Sequence, residues 1–331
     1  MDKNKQQEKS ADYKTFIAEG SHYQIGKITA KYGGAPLHIG KDPSIAQLRY
    51  AKACRKILEY IYPEIIEEFQ GYCEYYNLDE KELLMHYSLG VEGGCSSVAI
   101  KTNDGMYVAR NYDFYYWENR RHLIYTKPNN GWKHIGMHEG LIGGRFDGMN
   151  EHGLFINFNG AGPHPENTQV GISFHIIVRY LLEKFKTAKD ARKALMSLPV
   201  KEPKSYLIAD KEEAYVVEAH MDRKENRELN NNLLVMTNHF VHSEMKKYQD
   251  EWPNSKARYD MLVEQAKNLM KMENIELKSI KKIMADHEAP VCGHEDGLAT
   301  FWSCIAKLNT LDIYYSLGAP CRNEYKQYFK F

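Results

Sequence analysis

The chain has 331 residues, which is enough for one large domain or two ordinary ones with a sizeable core. Lysine plus arginine equals aspartate plus glutamate, at 44 each, so no basic excess indicates nucleic acid and no charged tail indicates a polyionic partner. The polar start lacks a secretory signal and no apolar run of about 18 residues could span a bilayer, which predicts a cytoplasmic protein without membrane contact.

The first ninety residues are predicted to form a helical lead after a frayed polar start. Residues 44–91 repeat apolar side chains at helical spacing, with Pro63 opening a second helix and Asp79 as the N-cap of a third. The expected organisation is therefore a helical segment over residues 1–94, followed by a second unit over residues 95–331.

From residue 93 the sequence changes to short β-prone runs separated by turns. The first two runs flank Asp104-Gly105, a dipeptide typical of hairpin turns. This alternation of strands and helices favours an α+β fold in which two antiparallel sheets pack together under covering helices. The predicted strands are 97–100, 106–110, 122–126, 134–137, 153–157, 205–209, 214–218 and two within 300–317, and the predicted helices are 173–186, 187–197, 254–271 and 275–286.

A single cysteine follows two glycines at the start of the first strand. Gly94 leaves its carbonyl open to attack by the Cys95 thiol, and cleavage between them would put a nucleophile and a free α-amine on one residue. An α-amine with a pKa of about 7.7–8.0 is partly neutral at pH 7 and can act as a base, whereas an amide nitrogen cannot. Taken alone, a buried cysteine at the start of a strand explains Cys95 equally well.

Arg110 and Asp113 lie at the end of the next predicted strand. A hairpin would fold them back toward Cys95, where Arg110 could stabilise a thiolate and Asp113 could hold the new amine. A local ion pair between the two, worth under about 1 kcal/mol if exposed, explains them equally well.

Three later segments carry further candidates. A predicted strand delivers Asn238, whose side-chain N–H suits an oxyanion hole, and the next residue, His239, is a tempting general base that an N-terminal cysteine does not need. Asn159 could line the site or end its strand, and Arg258 could orient the site or a substrate carboxylate. A turn-closing asparagine and a solvated helix arginine are the simpler explanations of Asn238 and Arg258 taken singly.

The six cysteines are sparse and none occurs in a C-x-x-C pattern, so no disulfide framework is predicted. Cys292 and His294 are two metal-ligating side chains in one short motif, but no second pair is evident in the sequence. We therefore expect no metal and no cofactor, and most of the thiols to be buried and unreactive.

Nine short segments occur in a recognisable order: EGSHYQIG (19–26), GCSS (94–97), RNYD (110–113), NEHGL (150–154), NFN (157–159), TNH (237–239), SKARY (255–259), CGH (292–294) and GAPC (318–321). Together they resemble the cysteine N-terminal-nucleophile (Ntn) hydrolases, and within them the self-processing group related to the penicillin-forming acyl-CoA:6-aminopenicillanic acid acyltransferase. Choloylglycine hydrolases and acid ceramidase are more distant relatives. The resemblance covers nearly the whole chain, and the ordered set is specific where no single motif is.

The resemblance implies a four-layer αββα fold with Cys95 as nucleophile, Arg110 and Asp113 as its supports and Asn238 as an oxyanion donor. It also implies that residues 1–94 are cut off and stay bound as an α chain. Bile-salt enzymes of the wider group lose little more than the initiator methionine before their cysteine, and the arginine and aspartate offsets here are each one shorter. Both departures disfavour a bile-salt activity.

The predicted function is that of a zymogen that cleaves itself and becomes a linear amide C–N hydrolase or an N-acyltransferase. It would act through an acyl-Cys95 intermediate on a small-molecule amide or an acyl thioester, with acyl-CoA as a candidate substrate. Its only predicted protein partner is its own N-terminal fragment. Two alternatives stay open: an uncleaved binding protein of the same fold, and a thiol hydrolase with an intact chain in which Cys95 pairs with His239.

Overall fold

The computed structural model describes nine stretches of the chain: 12–34, 43–87, 94–115, 120–161, 169–249, 253–272, 275–289, 291–294 and 298–331. Most of the predicted polar start, residues 1–11, falls outside them. Every candidate site residue and all six cysteines fall inside them. Within these stretches, no helix combines the length and the hydropathy that a membrane crossing requires.

The larger of two sheets has eight strands in the described part of the chain. β1 runs parallel to its neighbour, and every other adjacent pair in this sheet is antiparallel. In spatial order the strands are β1 (Asp12–Gly20), β4 (Arg120–Pro128), β5 (His134–Glu139), β6 (Asp147–Asn150), β7 (Phe155–Gly160), β8 (Lys204–Ala209), β9 (Ala214–Ala219) and β10 (Lys224–Glu228).

The smaller sheet has five described strands and is antiparallel throughout. Its central hairpin turns at Asn103-Asp104, and the next residue, Gly105, has φ +133°, a value that side chains with a Cβ rarely adopt. In spatial order the strands are β11 (Leu233–Met236), β2 (Gly94–Thr102), β3 (Gly105–Tyr115), β12 (Leu298–Lys307) and β13 (Asp312–Leu317).

Eight α helices surround the two sheets in the described residues. Their starts are set by local chemistry: Ser21 and Ser44 each form a capping box with the glutamine three residues later, and Pro63 occupies a first-turn position. The helices are α1 (His22–Gly33), α2 (Ile45–Ile61), α3 (Pro63–Tyr76), α4 (Glu80–His86), α5 (Phe174–Lys184), α6 (Ala188–Ser197), α7 (Pro253–Leu269) and α8 (Leu277–Met284).

The layers follow from which helices touch which strands. α1, α5 and α6 pack against the larger sheet, whereas α7 and α8 pack against the smaller one. The two sheets contact each other directly through β2 and β7. Alternation along β2 divides its side chains: Cys95 and Ala99 join the core between the sheets, while Val98 and Ile100 join the core under α7 and α8.

The predicted four-layer αββα class is confirmed by this arrangement. The expectation of a wholly helical lead is wrong, because β1 lies within it and pairs with β4 along nine residues of the larger sheet. The alternation of polar and apolar residues in its sequence, DYKTFIAEG, is too weak to predict a strand. The segment forms a strand because it pairs with β4. The division at residue 94 stays a prediction.

Candidate active site

Cys95 is the second residue of β2 and lies in the core between the two sheets, with 1% of its surface exposed. β3 runs beside it, with Tyr112 opposite Cys95 and Asp113 opposite Gly94. The predicted hairpin is therefore present and brings the next two candidates, Arg110 and Asp113, to the cysteine.

Arg110 is a fully buried cation beside the sulfur. Its Nη2 lies 3.7 Å from Cys95 Sγ and donates to the carbonyl oxygen of Phe158 at 2.9 Å. Its Nη1 is hydrogen-bonded to the Asp147 carboxylate. Burial alone would lower the pKa of Arg110, but Asp147 and Cys95 outweigh burial and hold that pKa above its ordinary value. The guanidinium therefore stays charged at every pH the protein meets.

Asp147 lies in this cluster and was not identified from the sequence. Besides Arg110, its carboxylate accepts hydrogen bonds from Trp302 Nε1 at 2.7 Å and Tyr315 Oη at 2.9 Å. These donors lie 37, 155 and 168 positions away along the chain, so no local pattern could have pointed to Asp147. The residue fixes Arg110 in place and ties β6 of the larger sheet to the smaller sheet.

Asp113 lies opposite Gly94, the residue before Cys95, on the neighbouring strand β3. A Cβ placed on Gly94 would lie 3.2 Å from Asp113 Cβ and 3.5 Å from Oδ2, so this position favours a glycine. Thr300 Oγ1 donates to Asp113 Oδ1 at 2.6 Å. Burial raises the pKa of Asp113, and Arg258 and Thr300 offset only part of that increase.

Asn238 contacts the backbone nitrogen of Cys95. It lies two residues after β11, and its Oδ1 accepts the Cys95 N–H at 2.8 Å. Its Nδ2 donates to the carbonyl oxygen of Gly160 at 3.0 Å, and its own backbone N–H donates to Ser255 Oγ at 2.7 Å. We predicted an oxyanion role for the side-chain N–H. In this structure the side-chain N–H donates to Gly160, and the side-chain oxygen accepts the hydrogen bond from the Cys95 N–H.

Arg258 projects from the first turns of α7 and is buried rather than solvated. Its Nη1 donates to the carbonyl oxygen of Cys95 at 2.6 Å and to Ser96 Oγ at 2.9 Å. Its Nη2 donates to Asn238 Oδ1 at 2.9 Å. Burial lowers the pKa of Arg258, against the opposing effect of Asp113. Arg258 and Asn238 together hold both backbone polar groups of Cys95.

Asn159 lies on β7 and links the two sheets through Ser97, which follows Cys95 by two residues on β2. Its Nδ2 donates to the carbonyl oxygen of Met236 at 3.1 Å and to that of Thr237 at 3.3 Å, and its Oδ1 accepts from Ser97 Oγ at 3.3 Å. These contacts fix the end of β11, and so the position of Asn238, relative to β2.

His239 is hydrogen-bonded to residues other than Cys95. Its Nδ1 is hydrogen-bonded to Ser255 Oγ at 2.8 Å and to Thr237 Oγ1 at 3.1 Å. Burial, with the nearby charge of Arg227, lowers the pKa of His239 to about 4. Among the described residues no hydrogen bond joins His239 to Cys95. The intact-chain thiol hydrolase with a Cys95–His239 pair therefore finds no support in this geometry.

The thiol itself is held in its protonated form. Burial raises the pKa of Cys95 to about 11, and Arg110 offsets only part of the increase. The arrangement thus combines a buried thiol, a fixed cation 3.7 Å from the sulfur, and hydrogen bonds to both the backbone N–H and the backbone carbonyl of Cys95. These groups suit acyl transfer to sulfur once the thiol is deprotonated.

Comparison with known sequences gives one family. The sequence model described as "Acyl-coenzyme A:6-aminopenicillanic acid acyl-transferase" matches residues 100–321, about two thirds of the chain. A search of curated proteins found no significant match.

Comparison with solved structures gives the fold. A variant of conjugated bile acid hydrolase from Clostridium perfringens has a TM-score of 0.51 at 16% identity, with 72% of this chain and 97% of that chain covered. A second variant of the same hydrolase has a TM-score of 0.50 at 14% identity with the same coverage. Penicillin V acylase from Agrobacterium tumefaciens has a TM-score of 0.47 at 17% identity, over 67% of this chain and 82% of that chain.

Proposed function

The chain belongs to the acyl-coenzyme A:6-aminopenicillanic acid acyl-transferase family, and from that premise we propose that it is a self-processing enzyme whose nucleophile is Cys95. Family and fold together make it an Ntn-type amide hydrolase or acyltransferase. The proposal adds the cleaved bond, the reacting atom and the roles of the groups around them.

One observation carries the proposal: the backbone N–H of Cys95 is bonded to Asn238 Oδ1 at 2.8 Å, next to a guanidinium 3.7 Å from the sulfur. In the intact chain this oxygen satisfies a buried N–H that β11 does not reach, because β11 pairs with β2 only from Ser97 onward. In a cysteine that becomes N-terminal, the same oxygen would hold the new α-amine and keep it beside its own thiol.

Self-processing would proceed by an N-to-S acyl shift. The Cys95 sulfur gives up its proton and adds to the carbonyl carbon of Gly94. The bond from that carbon to the Cys95 nitrogen then breaks as the nitrogen takes up a proton, which leaves the Gly94 acyl group on sulfur as a thioester. Water hydrolyses the thioester, so Gly94 leaves as a carboxylate and Cys95 keeps a free thiol and a free amine.

Each neighbour has a role in this step. Arg110 lowers the cost of charge on sulfur, and Arg258 fixes the Cys95 carbonyl, so that the residue cannot rotate during attack. Asp113 lies against Gly94 and, because burial raises its pKa, it suits the transfer of a proton between sulfur and nitrogen.

The mature enzyme would use the same atoms on an external substrate. The α-amine accepts the thiol proton and the sulfur attacks the acyl carbon. The leaving amine or thiol departs with that proton. The acyl group then passes from Cys95 to water, giving hydrolysis, or to an amine, giving transfer. A linear amide or an acyl thioester such as acyl-CoA is the proposed substrate class, and the chemistry uses only side chains and the terminal amine of the chain itself.

The test is to trap the acyl group on Cys95. Processed protein is mixed with a panel of N-acyl amides and acyl-CoA thioesters, quenched in acid and digested. The masses of the peptides are then measured by mass spectrometry. We expect the mass of the acyl group on the peptide that begins with Cys95. Cys73→Ser, a buried cysteine of α3 outside the site, serves as the matched control and should acylate like the wild type.

Turnover that persists in Cys95→Ala would contradict the proposed nucleophile. Acylation of another residue in the wild type would contradict it equally, because the intermediate would then lie elsewhere.

A further inference from the structure

Four metal-ligating side chains converge at the side of the smaller sheet, outside the groups that contact Cys95. His287, Cys292, His294 and Cys321 each offer one ligand atom, and these atoms all lie within 4.8 Å of one another. All four residues lie in the stretches of chain that the structure describes. The sequence displayed only the Cys292 and His294 pair, and the fold supplies the second pair.

The separations suit a tetrahedral ion. His294 Nε2 lies 3.4 Å from Cys292 Sγ and 3.1 Å from Cys321 Sγ. In a tetrahedral zinc site, Zn–S bonds of about 2.3 Å and Zn–N bonds of about 2.0–2.1 Å place sulfur and nitrogen about 3.6 Å apart. The ring of His287 stands edge-on to that of His294 with 5.2 Å between centroids. Small side-chain rotations would therefore bring all four ligands onto one ion.

The backbone on both sides of the cluster is fixed. The Cys292 N–H donates to the carbonyl oxygen of Asp286 at 3.0 Å, and the Thr300 N–H donates to that of Gly293 at 2.9 Å. Cys321 follows β13, in a turn where two later N–H groups donate to the Ala319 carbonyl at 3.1 Å. Fixed backbone positions let four short-range ligands keep one geometry, which a metal site requires.

We propose that Cys292, Cys321, His287 and His294 bind one Zn²⁺ ion. Both sulfurs bind as thiolates, and two thiolates with two neutral imidazoles leave a site without net charge. Four protein ligands fill the tetrahedron and leave no position open for a reacting water, so the ion would be structural. Thiolate and imidazole ligands favour zinc over magnesium or calcium, which take oxygen ligands. His287 is exposed and gives the ion a route in from solvent.

A structural ion here would bear on the active site through three hydrogen bonds. Gly293, between two of the ligands, donates to Thr300 Oγ1 at 2.9 Å, and that hydroxyl donates to Asp113 Oδ1 at 2.6 Å. Asn111, which precedes Asp113 by two residues on β3, donates to the carbonyl oxygen of Val291 at 2.8 Å. The ion would thus fix the loop that holds Asp113 against Gly94, a positioning role.

The first test measures metal on the full chain. Protein stripped with a chelator is titrated with Zn²⁺ alone. The number of zinc ions bound per chain is then measured by mass spectrometry. We expect about one zinc per chain, and a Tm raised by roughly 5 °C or more. Cys321→Ala should lose the zinc, whereas Cys73→Ser should keep it.

A second test does not depend on the variants folding. Co²⁺ added to stripped wild-type protein should give intense visible bands of tetrahedral cobalt and a thiolate-to-cobalt charge-transfer band. Absence of those bands, or zinc bound equally well by Cys321→Ala, would overturn the proposal. A freshly purified chain two mass units lighter, with Cys292 joined to Cys321 as a disulfide, would overturn it as well.

Discussion

Cys95 and the pair formed by Cys292 and Cys321 are free thiols on or beside the same small sheet, yet their neighbours differ in kind. Cys95 has guanidinium groups at its sulfur and at its backbone carbonyl. Cys292 and Cys321 have imidazoles instead. A cation beside a thiol favours the thiolate as a nucleophile, whereas converging thiols and imidazoles favour a soft metal. The neighbours, rather than the cysteine, decide what the thiol can do.

The largest expected effects separate the two clusters. Cys95→Ala should remain a single full-length chain with no activity while binding zinc normally. Cys321→Ala should lose zinc and still be cleaved after Gly94, but more slowly, because Asp113 is then held less firmly. The measurements are metal content and gel mobility of both variants side by side. A Cys321→Ala chain that keeps its zinc would contradict the proposed metal site. A Cys95→Ala chain that is cleaved would contradict the proposed nucleophile.

Asp147→Asn tests the buried charge beside Cys95. It leaves the Arg110 cation without its counter-charge in the core, and removing one partner of a buried pair costs about 3–5 kcal/mol of folding stability. Urea unfolding gives the loss directly. Asp222→Asn, an exposed aspartate near His220, should change stability by less than about 0.5 kcal/mol. Equal stability of the two variants would mean that the Arg110–Asp147 pair does not hold the site.

Asn238→Ala tests the clamp on the Cys95 nitrogen. Without this hydrogen bond the Cys95 backbone is no longer held in place for attack on Gly94, and a misplacement of about 1 Å can cost about a hundredfold, so processing should slow by roughly ten- to a hundredfold. The rate is followed by gel after the chain is made in a cell-free system. Asn226→Ala, on the edge strand β10, is the control and should process at the wild-type rate. If Asn238→Ala processed at that rate too, the bond to Asn238 would have no part in the reaction.

The pH dependence of processing follows from the raised pKa of Cys95. With that pKa near 11, the thiolate fraction grows about tenfold for each pH unit through the neutral range. Processing of slowly reacting Asn238→Ala precursor should therefore accelerate steadily from pH 6 to pH 9 without a plateau. A plateau near pH 7 would indicate a thiol that is already activated in the intact chain.

His239→Ala should have the smallest effect. A general base contributes roughly a hundredfold to ten-thousandfold, but His239 contacts Ser255 and Thr237 instead of the sulfur. We expect only a partial loss of activity, from the altered position of the loop that carries Asn238. Abolished activity with normal folding would restore the Cys95–His239 hydrolase as the better account.

Much of the fold could be predicted because strong local patterns survive in it. The β2–β3 hairpin follows from Asp104-Gly105 and its flanking β-branched runs, and the capping boxes at Ser21 and Ser44 mark helix starts. β1 could not be predicted, because its pairing with β4 joins residues more than a hundred positions apart. Strand β10 is short and charged, so it has no hydrophobic alternation to detect.

The site divides in the same way. Arg110 and Asp113 were predictable, because one hairpin carries them back to Cys95. Asp147 and Thr300 were not, since their contacts with Arg110 and Asp113 exist only after distant strands meet. Asn238 was identified as a residue, but which of its two amide atoms faces Cys95 depends on the acceptor at Gly160, and only the folded chain supplies that.

The most direct test of the central claim is the intact mass of the purified wild-type chain under denaturing conditions. The account predicts two fragments, one ending at Gly94 and one beginning at Cys95 with a free amine. A single full-length mass from protein that nonetheless turns over an amide or an acyl-CoA would contradict it, since catalysis would then proceed without the N-terminal cysteine.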